Sequence, residues 1–308
     1  MSQNVEDMRD QSGGGGSRFG GGRLGLGAML VLLILSVVFK RDFFALLGGN
    51  AGLQAGAGTE LTPEQAAHQD SLAEFVSAVL DSTQGEWGAI FPRLGHEYHD
   101  AKLVLFRDAY QSACGYAEAA TGPFYCPADE KVYIDLGFYD ELSSRFGAAG
   151  DFAEAYVLAH EIGHHVQKQL GIEAKVRQAQ QQRPESANDL SVRLELQADC
   201  FAGVWGGIYQ AKGGLEQGDL EEGMRAASAV GDDRIQKMSQ GYVNPEGFTH
   251  GTSEQRQRWF GQGFLSKSIG VGKTLALVGE LAPGPGRSFV NPLFEPLGDD
   301  PQAAGRIL

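Results

Sequence analysis

Basic residues are in short supply. Of 308 residues, 25 are Lys or Arg against 39 Asp or Glu, a formal net charge of -14. The shortage is uneven. Residues 1–41 hold five basic residues and three acids, which leaves 20 basic residues and 36 acids in the remainder. A body this acidic excludes nucleic acid as a partner, because phosphate binding needs a basic face. Cysteine is scarce as well: Cys114, Cys126 and Cys200 allow at most one internal disulfide. Cys114 and Cys126 bracket CGYAEAATGPFYC. Either they close a bridge, which places the body in an oxidising compartment, or they stay as two buried thiols. Cys200 reads as a small buried residue on a helix.

One long apolar stretch lacks charge altogether. Leu24–Phe39, LGLGAMLVLLILSVVF, has no charged residue in 16 positions and is closed by Lys40, Arg41 and Asp42. As a helix it spans about 24 Å, slightly short of a bilayer core, and snorkelling of Arg23 and Lys40 covers the difference. A buried core helix is rarely apolar all round. Charges directly follow the run where a small-x-small cleavage site would be wanted, which favours an uncleaved anchor over a signal peptide. The organisation expected is therefore a flexible Gly-rich tail that buries nothing (1–23), one transmembrane anchor (24–47), a linker (48–62), a folded domain (63–268) and a Gly/Pro-rich tail (269–308). With the Cys114–Cys126 pair bridged, this gives a single-pass inner-membrane protein whose folded domain is periplasmic.

Within the domain, helices are expected over 63–82, with Thr62 as N-cap and Pro63 in the first turn, over 138–146, over 152–170, over 189–211, and over 220–240 with an interruption at Gly231. Strands are expected at LVLF (103–106) and KVYIDLGF (131–138). Residues 171–188 read as an exposed polar crossover. Asp151 is the expected N-cap of the 152–170 helix, Glu154 completes a capping box, and Gly171 ends the helix.

That helix carries the chemistry. His160-Glu161-Ile162-Gly163-His164 has the form H-E-x-x-H. Two histidines four apart stack on one helix face and can reach one metal ion, with Glu161 placed as general base toward a metal-bound water. Such a site needs a third ligand and one open position. The 189–211 helix contains LELQADCFAG, with Glu195 and Asp199 four apart and Glu195 31 residues after His164. Glu195 then completes a one-zinc-per-chain site. Asp199 accepts the outer ring N–H of His160 or His164. The alternative is two solvated acids, but Leu194, Ala198, Phe201, Ala202, Val204 and Trp205 around them mark a buried helix, where unpaired acids are costly. His165 lies about 100° from His164 and is a packing or hydrogen-bonding residue. His68, His96 and His99 read as surface residues. In FTHGTSEQRQRWF, His250 or Arg256 is a candidate oxyanion donor. A helix-capping segment with an exposed Arg explains that stretch equally well.

HEIGHH, then LELQADCFAGVWG, then HGTSEQRQRWF, together with YCPADEKVYIDLGFY, resemble the bacterial neutral zinc metallopeptidases. The likeness covers the anchor and roughly Cys114 to Phe264. It implies an α+β, zincin-like domain, mostly helical with a small sheet, behind one transmembrane helix. The H-E-x-x-H plus Glu195–Asp199 pair is similar to the wider gluzincin group, which implies Glu195 as third ligand and Asp199 behind it. The His250–Arg256 spacing is similar to that of membrane-bound CaaX-processing-type proteases. The implied activity is hydrolysis of a peptide or protein substrate, with the strand KVYIDL offering an edge for it. The rival readings are a non-catalytic, membrane-anchored zinc scaffold and a metallohydrolase acting on other bonds. Glu161 counts against the scaffold, since it adds nothing to metal binding.

Overall fold

The computed structural model describes residues 1–10, 61–118 and 122–268. The anchor expected at 24–47, nearly all of the linker and the C-terminal tail lie outside these residues. Among the described residues no helix is long and apolar enough to cross a membrane.

The fold is mostly helical with a small mixed sheet, as the sequence leads one to expect. The chain runs β1 (Val5–Asp7), α1 (Pro63–Ile90), β2 (Lys102–Phe106), β3 (Ala109–Ser112), β4 (Gly115–Glu118), β5 (Phe124–Cys126), β6 (Lys131–Asp135), α2 (Gly137–Ser144), α3 (Asp151–Gln169), α4 (Ile172–Gln182), α5 (Ala187–Ala211), α6 (Asp219–Ala229), α7 (Asp232–Gln240) and α8 (Ser253–Ser266). The sheet order is β1-β2-β6-β5, with β3 and β4 a separate hairpin. β1, β2 and β6 are parallel; β5 is antiparallel to β6. The centre of the sheet is covered on both faces, which suits the unbroken apolar runs of β2 and β6.

α1 starts as expected. Thr62 accepts from the Gln65 N–H and Gln65 returns the bond to the Thr62 N–H, so two orphan donors are satisfied. α8 opens with the same device, Thr252 with Gln255. α3 differs from expectation. Its N-cap is Gly150 at φ 126°, and Asp151 makes no capping bond. The Glu222 carboxylate of α6 accepts the Phe152 N–H at 3.3 Å instead, where a Cβ on residue 150 would collide with it. The cap thus comes from a distant part of the chain. The polar crossover at 171–188 is also corrected. Ile172 and Val176, four apart, are buried, and one apolar ridge holds α4 against the core. Gly171 does end α3, at φ 70°. The 220–240 helix breaks at Gly231 into α6 and α7.

The first ten residues depart most from expectation. In place of a tail that buries nothing, Val5–Asp7 pair with Leu103–Leu105, and Asn4 and Arg9 are buried. Glycines begin at residue 13, after this strand. A reading that lumps residues 1–23 by composition therefore hides it.

α3 runs through the core and packs on α1, α5 and α6; α8 lies along α5. Small residues set these distances. Gly203 of α5 faces the Phe260 carbonyl of α8, and Gly263 of α8 faces the Cys200 carbonyl of α5. A Cβ at either site would overlap backbone, which cannot swing aside. Gly203→Ala is therefore expected to lower stability by about 1–3 kcal/mol or more, although alanine is the better helix former. Urea unfolding checks this, and a variant as stable as wild type would refute the close α5–α8 approach.

Candidate metal centre

Helix α3 places His160, Glu161 and His164 on the floor of a cleft of about 620 Å³. α5 crosses it at close range because residue 163 is glycine: a Cβ there would sit 3.0 Å from the Ala198 carbonyl oxygen. This approach brings Glu195 and Asp199 to the two histidines. His160 Nε2 lies 3.2 Å from Glu195 Oε2, and His164 Nε2 lies 3.4 Å from Glu195 Oε1. One ligand atom from each of His160, His164 and Glu195 falls within 4.8 Å of the others.

Both rings are oriented from behind. His160 Nδ1–H donates to Asp199 Oδ1 at 2.8 Å. His164 Nδ1–H donates to Gln167 Oε1 at 2.9 Å, and the Gln167 amide is pinned in turn to the Leu194 carbonyl and Gln197. With Nδ1–H committed on each ring, Nε2 is the nitrogen that faces Glu195 and the one a metal would take. Asp199 is fully buried and held by three neighbours through four hydrogen bonds. Arg256 grips it with Nε and a terminal nitrogen at 2.9 Å each, Tyr156 donates to it at 2.5 Å, and His160 completes the set. Arg256 also donates to the Val230 carbonyl at 3.1 Å.

The charges converge on one need. Burial raises the Asp199 pKa, but Arg256 and His160 overcome it and hold the carboxyl at about 2. Burial likewise opposes ionisation of Glu195, yet His164 and His160 take it well below the usual range. Burial lowers His160, but Asp199 and Glu195 outweigh it and push the ring up to about 10. Glu161 moves the other way, raised by burial. Three carboxylates, Glu161, Glu195 and Asp199, meet at the two rings, with one buried guanidinium, Arg256, against Asp199. A divalent cation held by the two histidines and Glu195 would supply the countercharge that Glu195 otherwise draws from the rings. The donor set, two imidazoles and a carboxylate, suits zinc with a fourth position left open.

His250 also lines the cleft, with its side chain half exposed. Asp232 of α7 sets its place by accepting the N–H groups of Thr249, His250 and Gly251 and lying 3.2 Å from His250 Nδ1. That hydrogen bond raises the His250 pKa. Arg256, a second candidate for an oxyanion donor and otherwise an exposed capping residue, is neither exposed nor free. It is 4% exposed and committed to Asp199. His165 is buried, as expected of a packing residue. Its Nε2–H donates to the His99 carbonyl, Nδ1 accepts from the Tyr125 hydroxyl, and burial lowers its pKa. His99 and His96 are exposed.

β6 is not an edge strand: it pairs with β2 on one side and β5 on the other. The edge beside the cleft is β5, whose Phe124 and Tyr125 line it. A disulfide between Cys114 and Cys126 ties β5 to the β3–β4 turn, while Cys200 is free and buried. Gln167, Tyr156 and Asp232 have no counterpart in the sequence reading. Tyr156 and Gln167 stand four before His160 and three after His164, so their helical spacing was a usable signal. Asp232 offered none, since its loop partners lie 17 or more residues away.

A family model described as "Putative neutral zinc metallopeptidase" matches residues 1–275. The Escherichia coli (strain K12) relative "Uncharacterized protein YpfJ" is 49% identical over 270 residues, covering 86% of this chain and 93% of that protein. "Uncharacterized protein Rv2575" of Mycobacterium tuberculosis (strain ATCC 25618 / H37Rv) is 41% identical over 201 residues, covering 62% of this chain and 67% of that protein. No solved structure matches. With the family model spanning most of the chain, the protein belongs to the neutral zinc metallopeptidase family.

Proposed function

We propose that the protein is a membrane-attached, zinc-dependent endopeptidase, with His160, His164 and Glu195 as ligands of one zinc and Glu161 as general base. The carrying observation is the convergence of one ligand atom each from His160, His164 and Glu195 within 4.8 Å, beside Glu161, on the floor of a cleft wide enough for a peptide. Zinc bound there supplies a Lewis acid and lowers the pKa of a bound water toward about 7.

The chain's own groups do the rest. Glu161 is 8% exposed, and the Tyr125 backbone hydrogen-bonds to its carboxylate. Its raised proton affinity suits taking a proton from the attacking water and handing it to the leaving amine. His250, protonated more readily because of Asp232, stands as donor to the developing oxyanion. Asp199, with Arg256 and Tyr156, holds the His160 ring in its ligating orientation. β5 offers main-chain groups to an extended peptide by strand addition, and the apolar side chains Phe138, Phe146, Val157 and Leu194 along the cleft favour a substrate with bulky apolar residues. The disulfide supports placing the body outside the cytoplasm. Leu24–Phe39 supports attachment to the membrane.

Metal analysis tests the ligand set. Glu195→Ala is expected to stay folded and to lose most of its zinc on dialysis against a weak chelator, while wild type retains about one per chain. Full stoichiometry in the variant removes Glu195 from the role.

A further inference from the structure

β1 and the metallopeptidase body are one folded unit, yet the most apolar run in the sequence, Leu24–Phe39, separates them. Met8 N–H donates to the Leu105 carbonyl and Leu103 N–H to the Asn4 carbonyl, each at 2.8 Å. Side chains fasten the strand from both flanks. Asn4 donates to Asp100 and accepts from Lys102. Glu6 pairs with Lys131 at 2.6 Å. Arg9 reaches Asp70 at 3.0 Å. Ser2 bonds to Ser77 and Asp81 on α1. Asn4 and Arg9 are more than nine-tenths buried, and β1 covers an edge of β2 that would otherwise present unpaired main-chain groups.

A segment that crosses a bilayer once parts its two flanks by about 30 Å of hydrocarbon. The partners of β1 are at hydrogen-bond distance from it. A single crossing by Leu24–Phe39 and the docking of β1 therefore exclude each other. Exchange between copies does not reconcile them, because in every copy of one orientation the first ten residues would lie across the membrane from the body. The family model embraces both parts in one span, residues 1–275.

We infer that residues 1–10 and the metallopeptidase body lie on the same face of the membrane. This runs against the single-pass anchor that the sequence leads one to expect, and it is independent of the peptidase reading. If the body is extracytoplasmic, as the disulfide suggests, the N terminus is exported with it.

The full chain, expressed in a bacterial host, carries Gln3→Cys or Tyr242→Cys, both at exposed positions. A membrane-impermeant maleimide is applied to spheroplasts and to inverted inner-membrane vesicles. Wild type supplies the background, its cysteines being bridged or buried. Both positions are expected to react in the same preparation and to be shielded in the other. Reaction of position 3 in one and position 242 in the other overturns the inference. Docking has its own readout. A zero-length carbodiimide applied to the membrane fraction is expected to join the Glu6 and Lys131 peptides within one chain. Absence of that product overturns the docking on which the inference rests.

Discussion

Glu161→Gln is expected to bind zinc like wild type, to unfold at no lower temperature, and to hydrolyse an unstructured protein substrate about 10²–10⁴-fold more slowly. Glutamine keeps the size and the hydrogen-bonding reach of glutamate but cannot take a proton. The side chain is buried against Tyr125 and is not among the three converging ligand residues. Zinc content should therefore not change. Burial raises the proton affinity of Glu161, so removing its charge relieves a cost of ionisation, and stability should hold or rise. Zinc content, melting temperature and hydrolysis rate are to be measured on the same preparations. A variant as active as wild type would refute Glu161 as the base. Equal inactivity of both proteins on every unstructured substrate would favour the non-catalytic scaffold.

The site was legible in the sequence to the extent that helical spacing carries it. His160, Glu161 and His164 lie on one turn of α3, and Glu195 and Asp199 on one turn of α5. A period of 3.6 residues is enough to put each set on one face. What joins the sets is a contact between helices, for which Gly163 is the only local sign, and a glycine inside a motif says little until the facing Ala198 is known. Arg256 is left between two readings, oxyanion donor or exposed capping residue, for the same reason: its partner Asp199 lies 57 residues away in the chain. Strands fared worse where they are short. β2 and β6 are continuous apolar runs and can be read, whereas β5, three residues long, has no period to detect. Its edge position follows from the order of strands in the sheet, and so the peptide-pairing role was first given to β6.

The other large effect expected is on stability, at Arg256. Its guanidinium spans Asp199 with two nitrogens at 2.9 Å each and is 4% exposed. Arg256→Met keeps much of the apolar stem but leaves Asp199 as a buried charge short of its main counterion. Breaking a buried pair in this way costs about 3–5 kcal/mol. Arg256→Lys is expected to recover only part of the loss, since an ammonium cannot form the planar fork. The double variant Arg256→Met with Asp199→Asn should be more stable than Arg256→Met alone, because it removes the stranded charge along with its partner. Zinc affinity should still fall by about 10–100-fold in the double variant, as His160 loses the carboxylate that orients it. Urea unfolding with and without chelator, together with zinc titration, separates the two effects. If Arg256→Met unfolds within about 1 kcal/mol of wild type, a range ordinary for an exposed ion pair, then Arg256 does not hold Asp199 in the way described. If the double variant is the less stable of the two, the cost lies in lost packing and not in a stranded carboxylate.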